Sequence, residues 1–193
     1  MRAASTVSLG VLALLSFVIH GGSHVLRGTA HDVLWACTMA NVLIALGLLF
    51  RLPRGLSSML CAVGVLWLCV GNFTWAVDLI VGGEFFYTSL LTHWVGLLVG
   101  LLGALRLGWP PRAWLHATLW LIALQLVCRV ITPASANVNV AHAVYAVYQR
   151  VYPSYAWFWV ASLVQTAGAY FVLDRIVARW LPRWADRLRT SAA

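Results

Sequence analysis

Six apolar segments, each about 20 residues long, follow one another along the chain and limit its possible folds more than any other feature. They run over residues 5–26, 32–50, 57–80, 85–106, 112–132 and 155–177. An apolar helix of about 20 residues crosses a hydrocarbon core about 30 Å thick. Only 9% of the residues are charged, whereas a soluble domain has about 25%. We therefore expect an all-α, polytopic membrane protein with six transmembrane helices.

The chain shows no polar linker and no internal repeat that would divide it into domains. We expect residues 1–193 to form a single transmembrane domain, with residues 178–193 as a basic cytoplasmic tail. The tail combines arginines with tryptophans, and such a segment is typical of an amphipathic extension on an anionic membrane surface.

The distribution of arginine predicts the orientation. All 13 basic residues are arginines. The side that holds both termini has ten of them, and the other side has Arg27, Arg129 and Arg150. Because Lys and Arg favour the cytoplasm, both termini are expected there. Arginines in short loops and a tail are topology determinants, so the net charge of +8 does not indicate nucleic-acid binding.

Polar residues inside the spans collect in the outer half of the predicted membrane. Polar groups at this depth are costly and need a partner or a purpose. They include His20, His24, Cys37, Asn41, Asp78 and His93. We expect an outward-facing polar cavity whose lining includes Cys37, Asp78 and His93. The alternative is that these groups only form hydrogen bonds between helices.

Acyl transfer is the chemistry that this set of residues favours. An imidazole can activate a thiol or a hydroxyl as a nucleophile, and Cys37, Thr38 and His93 lie at similar predicted depths. Side-chain amides can stabilise an oxyanion. Asn41, Asn137 and Asn139 are the candidates for that role.

Two other classes of function stay open. His20, His24 and His31 could form a zinc site, and facing histidines could bind haem. The chain has no HExxH motif, however, and His93 is the one deeply placed histidine. A non-catalytic subunit that binds a lipid or another small molecule is the third possibility. The acyl-transfer interpretation needs no cofactor, and its partner is a membrane lipid. A homo-oligomer or a membrane complex is also open.

Several short motifs resemble those of known families. They are "LWACTMANVLIALGLL", "NFTWAVDL", "LTHWVGLLVGLL" and "NVNVAHAVY", within residues 32–177. They resemble small multipass bacterial membrane proteins and, more distantly, the YwaF-like proteins. They are also similar to two animal families, an intramembrane acyltransferase with a Cys and a His, and the androgen-induced hydrolases with a Thr and a His.

The resemblance implies an acyltransferase or lipid-ester hydrolase in the bacterial inner membrane. It places the nucleophile at Cys37, with Thr38 beside it, and the base at His93. Substrate binding or support is then expected from Asn41, Trp75, Asp78, Asn137 and Asn139. The hydrolases have a Leu-Pro pair shortly after the His, where this chain has "WVGLLVG".

Overall fold

The computed structural model describes residues 3–81, 85–145 and 148–190, with side chains from Thr6 to Asp186 within those ranges. These parts of the chain contain no strand, so the predicted all-α class is confirmed. The main helices are α1 (Ala3–Leu26), α2 (Ala36–Leu49), α3 (Arg54–Ile80), α4 (Tyr87–Leu107), α5 (Ala113–Ile131) and α6 (Tyr155–Thr190). Two short 3₁₀ helices cover Ala30–Leu34 and Val138–Val140.

Five of these six helices are long and apolar enough to cross a membrane, and the exception is α2. At 1.5 Å per residue, its 14 residues extend only about 21 Å. The predicted second span, residues 32–50, is therefore wrong in its bounds. A 3₁₀ helix occupies Ala30–Leu34, and α2 begins only after Trp35, whose backbone is extended. The count of six membrane crossings stays a prediction.

The short helix α2 packs mainly between α1 and α3, and its Ile44 is fully buried. Glycine allows α2 and α3 to approach closely. A Cβ at Gly64 would lie 2.8 Å from the carbonyl oxygen of Ala40, which no real side chain tolerates. Small residues at such crossings are typical of packed membrane helices.

The connections 27–35 and 132–154 meet at one end of the bundle, which we call the far end. There Leu34 and Trp35 pack against the buried side chains of Val138 and Ala141. At the opposite end, Leu181 of α6 packs against Cys61 and Ala104. Helix α6 thus continues past the predicted span end at residue 177, and the described part of the basic tail prolongs this helix.

Candidate active site

Helix α4 widens into a π-turn over Leu91–Val95, with His93 at its centre. The backbone N–H of Gly96 bonds to Leu91 O, five residues back, and not to Thr92 O as in an α-helix. Single π-turns of this kind are frequent at functional sites. The helix is therefore irregular at His93, although the chain has no proline there.

Two asparagines from neighbouring helices bind the carbonyls of the π-turn. Asn41 of α2 donates its Nδ2 to Thr92 O at 3.4 Å and to Cys37 O at 3.1 Å. Asn72 of α3 donates its Nδ2 to His93 O at 3.0 Å. Buried carbonyls need such partners. These bonds fix the position of His93 relative to both α2 and α3.

Cys37 and His93 both lie beside Gly71 of α3. A Cβ at Gly71 would clash with Cys37 Sγ and would lie 3.9 Å from His93 Cε1. The thiol and the imidazole are thus close neighbours because residue 71 has no side chain. Thr38 is fully buried. No atom of Thr38 is among the three atoms that lie nearest to a Cβ placed on Gly71. The structure therefore places the Cys37 thiol and the His93 ring beside the same glycine.

Three buried polar atoms around the π-turn have no hydrogen-bond partner among the described residues. They are His93 Nδ1, Thr92 Oγ1 and Asn41 Oδ1. Most buried polar atoms in proteins are hydrogen-bonded, so an unpartnered group of them indicates a place where a reacting or bound polar group would find partners. No direct Cys37–His93 hydrogen bond is formed in this arrangement, and His93 Nδ1 stays available.

Trp75 covers one face of the His93 imidazole. The two rings are nearly parallel, at an angle of 11°, and their centroids are 4.8 Å apart. Trp75 lies one turn beyond Gly71 on α3, which explains why both residues contact the same histidine. This contact restricts the orientation of the imidazole.

Asp78 lies apart from this group. It is exposed near the end of α3, about two turns beyond Gly71. Partial burial raises the pKa of Tyr145 in the far-end connection, and the Asp78 carboxylate raises it further. The Asp78 carboxylate therefore interacts with the connection that precedes α6.

Asn139 caps the start of α2. Its Oδ1 accepts the Ala36 N–H at 2.8 Å, and its Nδ2 donates to Leu34 O at 2.7 Å. Helix starts need such acceptors for their free N–H groups. The amide of Asn139 is thereby used to hold the helix on which Cys37 lies.

Asn137 binds only within its own connection. Its Oδ1 accepts the N–H groups of His142 and Ala143, and its Nδ2 donates to Ala143 O. Its backbone is left-handed, with φ of +46°, a conformation that asparagine tolerates better than most residues. These bonds stabilise the connection itself.

A second polar group joins α1 to α4 beside the π-turn. His20 Nδ1 lies 3.0 Å from Thr88 Oγ1, and Ser23 Oγ lies 3.1 Å from the same hydroxyl. No role for Thr88, Thr92 or Asn72 was predicted from the sequence. The available signal was spacing, because Thr88 and Thr92 are four apart and therefore share a helix face.

The structure does not assemble the alternative zinc site. His24 Nδ1 lies 3.0 Å from Thr29 Oγ1 and 3.5 Å from Asp32 Oδ2, and His31 lies 3.7 Å from Asp32. His20 instead binds Thr88. Among the residues that the structure describes, no three His, Cys, Asp or Glu side chains are placed to hold a metal ion.

Comparisons with known proteins leave the family of the chain open. No family model matches it, and no significant match is found among curated proteins or solved structures. The resemblance described above therefore stays a prediction. The function must be argued from the geometry of the site.

Two cavities of the bundle lie outside the Cys37–His93 pair. One, of about 440 Å³, lies between α3 and α6, and Cys69, Val70 and Phe73 contribute to its lining. The other, of about 250 Å³, lies between α5 and α6 at the far end. Neither of these two cavities is lined by Cys37, Asp78 or His93, so the shared cavity lining stays a prediction. Cys37 itself is half-buried, and His93 is buried.

Proposed function

We propose that the protein is an integral membrane enzyme that transfers or hydrolyses acyl groups of lipids, with Cys37 as the nucleophile and His93 as the general base. The observation that supports this most is the close approach of thiol and imidazole across Gly71, with His93 Nδ1 buried and without a partner. Because nucleophile and base must come within hydrogen-bond reach, a small side-chain rotation is required.

The reaction proceeds in two balanced steps. His93 takes the proton of the Cys37 thiol as Sγ attacks the ester carbonyl carbon of a lipid. The C–O bond then breaks, and the leaving alkoxide takes the proton from His93, which leaves a thioester on Cys37. A lipid hydroxyl or a water molecule, deprotonated by His93, attacks the thioester, and Cys37 regains the proton.

The neighbouring polar groups have separate roles in this proposal. The Thr92 hydroxyl, buried and without a partner, is the donor for the developing oxyanion. Both described bonds of Asn41 Nδ2 go to carbonyls, so Asn41 positions the π-turn. The cavity beside Cys69 and Val70 is apolar, and Val70 packs in the same core cluster as Cys37. An acyl chain would fit there.

The location of the protein follows from the arginine distribution. We place it in the bacterial inner membrane, with both termini in the cytoplasm and the far end of the bundle outside. Fusing a reporter that is active only in the cytoplasm to the C-terminus tests this, and activity is expected. Activity of the same reporter in the 132–154 connection instead would reverse the orientation.

Covalent labelling tests the assignment of the nucleophile. The protein is incubated in lipid nanodiscs with a long-chain alkyl maleimide and with a long-chain fluorophosphonate. Labelling by the maleimide should be lost in Cys37→Ala and kept in Cys69→Ala, which removes another half-buried thiol. If the fluorophosphonate labels the wild type but not Thr38→Ala, the nucleophile is Thr38. If one of the probes still labels both Cys37→Ala and Thr38→Ala, the result would instead favour a non-catalytic lipid-binding protein.

A further inference from the structure

The far-end cavity between α5 and α6 is lined by one cationic side chain and two aromatic ones. Its volume is about 250 Å³, and Gln125, Arg129, Tyr155 and Trp159 line it together with small apolar side chains. Cavities that enclose a drug-sized ligand have about 300–1,000 Å³. This cavity is therefore suited to part of a molecule, such as a headgroup, and not to a whole lipid.

Arg129 is held in place by neutral groups. Its Nη1 donates to Ala141 O at 3.0 Å, and its guanidinium carbon lies 5.0 Å from the centre of the Tyr155 ring. The hydroxyl of Tyr155 donates to Ala141 O at 2.7 Å, so this ring is fixed as well. The cation is thus positioned at the cavity wall before any ligand arrives.

Among the described residues, Arg129 is in neither of the ion pairs formed by Asp32 with His24 and His31, and its described contacts are with a backbone carbonyl and an aromatic ring. A charge close to the hydrocarbon region usually has a partner. A guanidinium has five N–H donors in a planar arrangement that matches the oxygens of a phosphate. The missing partner of Arg129 is therefore expected to be an anion.

The other polar side chain of the cavity wall, Gln125, already has hydrogen-bond partners for both ends of its amide. Gln125 Oε1 accepts from Trp159 Nε1 at 3.1 Å, and Gln125 Nε2 donates to Asn139 O at 2.9 Å. These bonds keep the wall rigid. Arg129 is then the group that recognises the ligand.

The surface around the cavity indicates where that anion comes from. Leu126 of α5 lines the cavity, and Leu126 and Val130, one turn further along the same helix, are largely exposed apolar side chains. A lipid whose headgroup enters the cavity could lay its chains on this surface. Tyrosine and tryptophan at the membrane boundary are typical of headgroup depth.

We propose that this cavity binds the phosphate of an anionic phospholipid through Arg129. The site is distinct from the Cys37–His93 pair, and it does not depend on acyl transfer. Its role is to hold a structural lipid between α5 and α6 at the far end.

Lipid binding to delipidated protein tests this proposal. Native mass spectrometry and thermal unfolding are recorded with phosphatidylglycerol, with diacylglycerol and with soluble glycerol phosphate. We expect one tightly retained phosphatidylglycerol, a raised Tm with this lipid, and neither effect with diacylglycerol. Since charge-assisted hydrogen bonds are strong, Arg129→Gln should weaken binding at least about tenfold.

Matched variants separate the possible outcomes. Arg150→Gln removes another arginine of the far end outside the cavity, and Cys37→Ala removes the proposed nucleophile; both should bind as the wild type does. If Arg129→Gln fails to fold, Arg129→Lys should keep the preference for phosphatidylglycerol with lower affinity. Equal binding by wild type, Arg129→Gln and Arg129→Lys would overturn the proposal. The proposal would also be overturned if glycerol phosphate bound as tightly as the lipid, because the cavity would then be a site for soluble anions.

Discussion

Asn41 donates its side-chain amide to the carbonyl of Thr92, and this bond links α2 to the π-turn of α4. Asn41 is completely buried. A Cβ at Gly96 would clash with Asn41 Oδ1, so the amide fits against α4 because glycine is present there. The residue before His93 in the chain is thus held by an amide from another helix. The position of His93 therefore depends on residues that do not take part in the chemistry.

Replacing Asn41 should destabilise the protein and disturb the site. In Asn41→Ala the buried Thr92 carbonyl loses its partner, and a cost of about 1–3 kcal/mol is expected. For a chain of this size that corresponds to a fall in Tm of several degrees. Thermal unfolding in detergent measures it, and Gln149→Ala, which removes an exposed amide, is the control. Equal Tm values for the two variants would show that the bond contributes little.

Gly71→Ala should be unfavourable because the new methyl group would clash with Cys37 Sγ. Alanine in a helix is ordinarily better than glycine by about 0.5–1 kcal/mol. Gly22→Ala is the matched control, since a Cβ there meets nothing within 4 Å, and it should be neutral or stabilising.

A double-mutant cycle sharpens this test. In a Cys37→Ala background the thiol is absent, so Gly71→Ala should lose most of its cost. Additive effects of the two substitutions would contradict the contact between Gly71 and Cys37.

Asn139→Ala should loosen the start of α2. The Ala36 N–H and Leu34 O lose their partners, and loss of a helix cap costs about 1 kcal/mol. Hydrogen exchange should become faster around residues 36–39. Asn137→Ala should instead accelerate exchange only in its own connection. The same exchange pattern in both variants would argue against a specific cap.

Trp75→Leu should alter the reactivity of the site more than the fold. The stacked Trp75 ring contributes about 0.5–1.5 kcal/mol beyond its buried area, and its loss frees one face of the imidazole. We expect a small decrease in Tm and a clear change in the rate at which a maleimide modifies Cys37. Ile80→Leu, at the exposed end of the same helix, should change neither value.

The sequence predicts the helical architecture well, because long apolar segments have few structural alternatives. It does not reveal the start of α2. Residues 32–50 are almost continuously apolar, and their pattern does not distinguish the 3₁₀ helix Ala30–Leu34 from the α-helix that follows. The break depends on Asn139, which lies more than 100 residues away in the chain.

The site was predictable only in part for a similar reason. Cys37 and His93 are unusual residues for apolar helices, so they attract attention, and the structure places them together. The π-turn has no signal in the sequence, since no proline or polar run marks it. Thr92 and Asn72 become notable only when the carbonyls and the unpartnered atoms of that turn are known. Asp78 looks equally notable in the sequence, yet it lies at the exposed end of α3.

Trapping of a covalent intermediate tests the central claim most directly. The protein is mixed with a long-chain 4-nitrophenyl ester, quenched with acid, and examined by intact mass and peptide mapping. We predict one acyl group on Cys37, and it should still form in Cys69→Ala, which removes another half-buried thiol. The adduct should be absent in Cys37→Ala and at least about 100-fold slower in His93→Gln, as expected for loss of a general base. An acyl group on another residue, or an unchanged rate in His93→Gln, would contradict the proposed pair.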